Sequence, residues 1–342
     1  MGVDPLSDVL RAVRLTGAIF FDIKLYEPWV AATPTAQQCV PFVMPHVEHL
    51  LEYHIIAEGG CWAGLADGEL LRVEAGDVIA FPQGDAHILA SAPHLRAEPD
   101  FAMYRAAQNA TLPFAHSHGD ESGARTRVIC GFLGCAARPF NPLLSALPRL
   151  LHDRAAHRTD RWITDLARLA VAESESRSSG GQSVLERVSE LMFIAVVRRY
   201  LNALPGEQTG WLAGLRDRYV GHVLGLLHAR PAHPWTIDEL AREAGMSRSS
   251  LAERFVHFVG QPPMQYLTQW RMQMASDMLG RGSDSVGRIA AAVGYDSEAA
   301  FNRAFKKIVG TPPGAWRRTQ TLGSDESHAA LTPQLAVGPR SA

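Results

Sequence analysis

Cysteine is scarce: Cys39, Cys61, Cys130 and Cys135 are the only four in 342 residues. That density excludes a disulfide framework, and none of the spacings is the paired CxxC of a structural zinc site, so reduced thiols are expected. Cys130 and Cys135 lie five residues apart in an apolar run. At a strand rise of about 3.3 Å per residue they are too far apart for a disulfide, which needs Cα atoms within about 7 Å. Both are expected to serve as small buried apolar side chains. Long hydrophobic runs are also missing. Asp4, Asp8, Arg11 and Arg14 interrupt the first stretch, so neither a signal segment nor a membrane span is expected, and the chain reads as cytoplasmic with no membrane partner. Net charge is nearly absent at −2, which for the whole chain is unlike a nucleic-acid binder. Divided along the chain it is not: Trp211 to Gln320 holds about 14 Lys and Arg against about 9 Asp and Glu, leaving the excess of acid to the remainder.

What is present is a hydrophobic content of 46%, enough for two or three packed domains, and a repeat. Ile237, Leu240, Ala241 and Ala244 place one apolar stripe on a short helix that Gly245 ends. Ser247 then caps a second helix buried through Leu251, Phe255 and Phe258, which Gly260 stops ahead of Pro262 and Pro263. About fifty residues later the pattern returns as Val286, Ile289, Ala290, Val293, then Gly294, Ser297, Phe301, Phe305, Ile308, Gly310, Pro312 and Pro313. Leu267, Trp270, Met274 and Met278 mark a long helix between the copies. The recurrence of caps, glycines, prolines and stripes together predicts two helix-turn-helix units rather than a chance bundle.

These residues resemble the AraC-type bacterial transcription regulators. The likeness rests on Gly245-Met246-Ser247, on Arg271-Met272-Gln273-Met274-Ala275, and on Ile289-Ala290-x-x-Val293-Gly294-Tyr295 followed by Phe301, Phe305, Gly310 and Pro312. It implies that the second helix of each unit enters a major groove of promoter DNA. Subtracting the buried positions leaves Arg248, Ser249, Ala252 and Glu253 on the first recognition helix, and Glu298, Ala299, Asn302, Arg303 and Lys306 on the second. Arginine grips guanine and asparagine grips adenine through paired hydrogen bonds, while Lys306, Lys307, Arg317 and Arg318 are expected on phosphates. Glu253 and Glu298 depart from the usual basic or amide residues, so the base code of relatives does not transfer.

From about Ala18 to Leu133 short apolar runs bounded by Gly, Pro and Asp predict a β-rich unit. Within it Gly76 through His87 matches the second cupin motif: glycine, five residues, proline, x, glycine, two residues, histidine. Tyr53 to Gly59, then Cys61 and Trp62, resembles the cupin-type ligand-binding part of one AraC subgroup. That likeness implies a barrel whose pocket holds His54, Trp62 and His87 near a small-molecule effector. Catalytic cupins hold a metal through His-x-His, a Glu and the second-motif His; this chain offers instead His46, Glu48, Glu52 and His87. These four are expected to be strand-end and surface polar groups, with His87 a hydrogen-bonded pocket histidine, and no cofactor is expected. A DNA-repair alkyl acceptor would need a zinc-holding cysteine cluster, which the spacings do not supply.

After Asn141 the spacing is helical again. Asn141 and Pro142 cap one helix, Trp162, Leu166 and Leu169 stripe a second, and Ser183 with Glu186 forms a capping-box pattern opening a third that runs to about Leu204. The face Leu185, Val188, Leu191, Met192, Ala195 suits either a dimer contact or packing on the chain's own cupin. The expected architecture is α+β and multidomain. It comprises a cupin-like barrel (1–140), a helical connector (141–209), an all-α double helix-turn-helix (210–320) and a disordered tail (321–342). The expected function is a DNA-binding regulator, homodimeric, meeting RNA polymerase if it activates. The alternative is a metal-dependent cupin enzyme fused to a DNA-binding module.

Overall fold

The computed structural model describes residues 4–13, 15–45, 47–107, 113–137, 139–157, 161–176, 178–205 and 208–319; the expected tail and His46 lie outside them. Helix α1 (Pro5–Ala12) starts where expected, with the Asp4 carboxylate accepting from the Leu6 amide at 3.1 Å and Leu6 and Val9 buried. The β-rich part follows as β1 (Thr16–Tyr26), β2 (Val30–Thr33), α2 (Ala36–Val43), β3 (His49–Glu58), β4 (Gly60–Leu65), β5 (Leu71–Glu74), β6 (Val78–Phe81), β7 (His87–Ala90), α3 (Ala102–Ala107), β8 (Phe114–His118) and β9 (Arg125–Cys135). Beyond it come α4 (Pro142–Ala146) and β10 (Leu151–Asp153).

Two sheets result, in the orders β10-β6-β3-β9-β1-β8 and β2-β7-β4-β5. The expected cupin-like barrel is thus found in an open form, its two sheets not joined into one closed sheet among the described residues. Strand length supplies the reason: β1, β3 and β9 run 10 to 11 residues in one sheet, whereas the other is built from strands of 4 to 6. So short a sheet cannot tilt around to meet both edges of its partner. Helices α2 and α3 fill the gap, placing Ala36, Cys39, Tyr104 and Ala107 in the core between the sheets.

The connector differs from expectation in detail. Helix α5 (Trp162–Ser176) buries Ile163, Ala167, Ala170 and Ser174, and leaves Trp162 and Leu169 exposed. Helix α6 (Gly181–Ala203) begins before Ser183, because Gly180 adopts φ 83 and turns the chain into the helix without a side-chain cap. Leu185, Val188, Met192 and Ala195 pack into the chain's own core, while Leu191 stays exposed. Contact with the six-stranded sheet is close: a Cβ on Gly17 would lie 2.5 Å from the Glu186 carbonyl oxygen, and Tyr53 Oη donates to Ser189 Oγ at 2.6 Å.

The last third is helical throughout: α7 (Trp211–Arg216), α8 (Arg218–Ala229), α9 (Ile237–Glu243), α10 (Arg248–Val259), α11 (Pro263–Arg281), α12 (Val286–Ala292) and α13 (Glu298–Val309). Its caps are those the sequence predicts. Ser247 Oγ accepts from the Ser250 amide and Ser297 Oγ from the Ala300 amide, each at 3.2 Å, and Gly260 and Gly310 close α10 and α13 in the left-handed conformation. Leu240, Leu251, Phe255 and Tyr266 belong to one apolar cluster that continues through α1, α4 and α6. The second unit has a core of its own, around Ile289, Phe301 and Phe305. No helix among the described residues is long and apolar enough to cross a membrane.

Candidate functional site

Period-two alternation sends Glu52 and His54 of β3 to the same face of the six-stranded sheet, into the space between the sheets. From the other side β7 presents His87, whose neighbours Ile88 and Ala90 face outward. Three polar side chains from two sheets therefore converge in the apolar interior. His54 Nε2 lies 2.7 Å from His87 Nε2, Glu52 Oε2 lies 3.6 Å from the latter, and His87 Nδ1 lies 2.9 Å from the Asp85 carbonyl. Phe81 stacks on the His87 ring at 3.7 Å. All three are buried, and both Glu52 oxygens and His54 Nδ1 lack a hydrogen-bond partner.

Burial sets their protonation. It pushes the Glu52 carboxyl up to about 8 and the His87 imidazole down to about 4, and holds His54 well below its ordinary value, with His87 adding to the effect. Near neutrality the cluster is an uncharged acid beside two uncharged imidazoles. Glu52 and His54 line a cavity of about 290 Å³ whose walls include Phe21, Ile23, Leu89 and Phe132, with Tyr104 and Cys130 alongside and His116 and His118 among its lining residues. Apolar walls with a few convergent polar groups are the usual make-up of a small-molecule site.

The metal candidates read from the sequence regroup here. Glu48 is exposed and accepts from the Ala137 amide at 3.2 Å, so it leaves the set; Glu52, expected at a strand end or surface, is buried. His54 joins instead, and the ligand atoms of Glu52, His54 and His87 all lie within 4.8 Å of one another. Two imidazoles and a carboxylate with unpartnered atoms fit a divalent transition metal. Trp62, expected in the pocket, packs on the outer face of the four-stranded sheet with Leu70, Ile88 and Ala90. Cys61 and Ala63 take the inner face of β4, and alternation turns Trp62 away. Tyr104 carries no motif in the sequence, because it reaches the cavity from α3, while Cys39 of α2 packs in the core beside it. The four thiols are all buried, and burial raises each thiol's pKa, which opposes the thiolate a redox sensor needs.

The cluster gives a pH signature. Glu52 holds its proton more tightly when folded, so its contribution is full below about 4.5 and is lost as pH rises to about 8. His54 and His87, with depressed folded values, contribute fully above about 6.5 and lose this as pH falls toward about 4. Two imidazoles outweigh one carboxyl below about 6.5, and Glu52 acts alone above it. Metal-free protein is thus expected to be most stable near pH 6.5 as far as this site is concerned, and to lose up to about 1.4 kcal/mol per pH unit above it. Glu52→Gln should flatten that alkaline limb in thermal melts between pH 6.5 and 8. A wild-type melting temperature still rising at pH 8 would contradict the assignment.

At the other end of the chain, Arg248, Ser249 and Glu253 on α10 and Glu298, Ala299, Arg303 and Lys306 on α13 are exposed, with Ala252 and Asn302 half-buried. Glu298, Asn302, Arg303 and Lys306 surround one open cleft of about 440 Å³, with Pro312 and Pro313 as its floor. Arg248 lies 3.6 Å from Asp238, whereas Arg254 is held by Asp217 through its Nε at 3.0 Å. Arg271 is the residue whose role the sequence did not disclose. Its Nε donates to the Pro231 carbonyl at 2.7 Å and its Nη2 to the His233 carbonyl at 2.8 Å, and its guanidinium lies 6.0 Å from the Tyr295 ring, which fastens the second unit's turn to the entry of the first.

Known proteins share both parts. A cupin family model matches residues 4–202 and a helix-turn-helix domain model matches residues 240–319. A protein of Streptomyces lividans described as an AraC-like transcription regulator is 31% identical over 331 residues, 94% of this chain and 100% of that one. A regulator of the same description from Streptomyces antibioticus is 31% identical over 319 residues, covering 92% and 99%. The HTH-type transcriptional regulator AlkR of Acinetobacter baylyi is 26% identical over 333 residues, covering 92% and 99%.

Proposed function

Because the chain belongs to the AraC-type DNA-binding transcription regulators with an N-terminal cupin domain, we propose that it reads one extended promoter site with both recognition helices while its inter-sheet cavity senses a small molecule. The observation that carries the DNA half is the matched pair of capped helices, α10 and α13, presenting exposed polar faces at the two ends of one 19-residue helix. At about 1.5 Å per residue α11 is about 28 Å long. Successive major grooves on one face of DNA lie about 34 Å apart, so the two units reach both when the duplex bends. Arg303→Ala in the full chain is expected to weaken operator binding by about 1 to 3 kcal/mol and to relax discrimination in one half of the site. A loss uniform across sequences, with a salt slope shallower by about one unit, would make Arg303 a phosphate clamp. The two-groove reading fails if Arg303→Ala and Arg248→Ala both leave affinity unchanged.

The sensing half is supported by the cavity and by its route to DNA. Helix α1 and the segment before α4 bear on α11: Gln273 Nε2 donates to the Ala12 carbonyl at 3.3 Å and Gln273 Oε1 accepts from the Phe140 amide at 3.1 Å. A ligand that shifts the sheets therefore has a packed path to the helix that spaces the two recognition helices. In this reading the protein is a cytoplasmic homodimer that meets RNA polymerase when it activates, and it is not an enzyme. The Glu52, His54, His87 donor set favours a second reading, a metal-dependent cupin enzyme fused to a DNA-binding module. Elemental analysis of the purified protein separates them: stoichiometric metal with turnover of a small molecule would support the enzyme.

A further inference from the structure

One corner of the cavity between the sheets is walled by aromatic rings. Glu52 of β3 is paired across the sheet with Phe132 of β9, and His54 with Cys130, which is paired in turn with Phe21 of β1. Directly opposed residues on one face hold their Cβ atoms about 5 Å apart, so the Glu52 carboxyl stands beside the Phe132 ring. Tyr104 of α3 completes the corner. Its ring centroid lies 5.4 Å from that of Phe21 and 6.4 Å from that of Phe132, and those two are 6.1 Å apart. The planes meet at 86°, 65° and 72°, so the three rings stand as walls and not as a flat stack. All three, with Glu52 and His54, line the same cavity.

The charge of the wall has one sign. Among the described residues that line the cavity none is a lysine or an arginine, while three are acids: Glu52 inside, and Glu98 and Asp100, which are exposed and so lie toward the opening. The remaining basic groups are the imidazoles of His54, His116 and His118. Cations close by in the chain are turned elsewhere. Arg96 donates to the Pro93 and Leu95 carbonyls at 2.9 and 2.8 Å, and Arg105, next to Tyr104, is exposed and outside the lining. Lys24 and Arg127 line a separate cleft together with Asp22 and Glu175.

We propose that the ligand of this cavity is an organic cation, an ammonium carried on a small apolar or aromatic body, with its charge seated at the corner of Phe21, Tyr104 and Phe132. This ligand class rests on the sensing reading of the cavity. A cation within about 6 Å of a ring centroid is attracted by the ring's quadrupole, most strongly where water is excluded, and one seated over this corner is within that reach of all three rings. Hydrogen-bond acceptors stand ready for its N–H groups. Both Glu52 oxygens lack a partner, and in either protonation state of the carboxyl one of them can accept. His87 donates from Nδ1 to the Asp85 carbonyl, so with both rings uncharged its Nε2 accepts from His54 Nε2, which leaves the unpartnered His54 Nδ1 an acceptor as well. An anion would meet acids and acceptors here with no lysine or arginine to receive it. The volume of about 290 Å³ has room for one small arylalkyl amine.

Calorimetric titration of the full-length chain, stripped of metal by a chelator, tests it with three probes of similar size and different charge: phenethylammonium, 2-phenylethanol and phenylacetate. Phenethylammonium is expected to bind at least about tenfold more tightly than the alcohol, and phenylacetate not measurably. Tyr104→Leu keeps apolar bulk and removes one ring, so it should shrink the preference for ammonium over alcohol severalfold while the alcohol's own affinity moves little. Glu98→Gln with Asp100→Asn should weaken the ammonium alone. Both positions are exposed, and Asn can still accept from the Ala102 amide as Asp100 does at 2.8 Å, so this variant is expected to fold as the wild type does, which circular dichroism checks. Alcohol bound as tightly as the ammonium, or phenylacetate bound more tightly than either, overturns the cation and leaves the cavity as a sensor of another ligand class. An ammonium preference undiminished in both variants overturns the seat assigned to the charge. If none of the three binds at millimolar concentration, the cation assignment falls and the sensing reading loses its cavity with it.

Discussion

Gly294→Ala is expected to cost about 3 kcal/mol or more and to abolish binding of the second recognition helix to DNA. Gly294 sits at φ 83, where an L side chain is strained. An added Cβ would lie 2.6 Å from the Ala232 carbonyl oxygen, 2.8 Å from its Cα and 2.9 Å from Arg271 Nη2. Backbone on one side and a doubly hydrogen-bonded guanidinium on the other leave nothing that yields cheaply. The comparison is Gly245, the equivalent turn of the first unit: its φ is 65, but a Cβ there would meet nothing within 4 Å. Gly245→Ala should lose only the conformational part, about 1 kcal/mol. Because the second unit keeps a separate core, the Gly294 damage should stay local, with a new low-temperature transition while the cupin part melts as before. Equal losses from the two substitutions, measured by thermal denaturation and operator affinity, would refute the packed contact between the units.

Arg127→Ala is the second large effect, expected at about 3 to 5 kcal/mol because it strands a buried carboxylate. Arg127 lies on β9 with only 5% of its side chain exposed and grips Asp22 of β1 through Nε at 2.9 Å and Nη2 at 2.6 Å. Its Nη1 reaches Glu175 of α5 at 2.6 Å. One guanidinium therefore binds two strands of the cavity wall to the connector. The neighbours of Asp22 are Phe21 and Ile23, which line the cavity, so loosening this strand should also weaken ligand binding. The double substitution Arg127→Met with Asp22→Leu removes both charges and should recover most of the stability, as measured by urea denaturation. If it is no better than Arg127→Ala alone, packing rather than the stranded charge governs the loss.

How much of this was legible from the residues depends on the range of the forces involved. The doubled helix-turn-helix was written in full in the sequence, since apolar period, Ser247 and Ser297 caps and the Gly245, Gly260 and Gly310 ends act over a few residues. The scarcity of cysteine likewise settled that the thiols are free. Alternation in β3, β4 and β7 sorted each strand's side chains into two sets. It could not say which set faced inward. That choice is made when a second sheet covers the first, and it turned Trp62 out and His54 in. The cupin pattern had already set Glu52 and His87, 35 positions apart, in one candidate group, but their approach to 3.6 Å from different sheets, with His54 beside them, is a product of that stacking. The same holds for α6, whose apolar residues ring much of the helix: only its seat on β1 decided that Leu185 and Val188 are core and that Leu191 is left to face outward, because burial is a property of what lies opposite a residue and not of the residue itself.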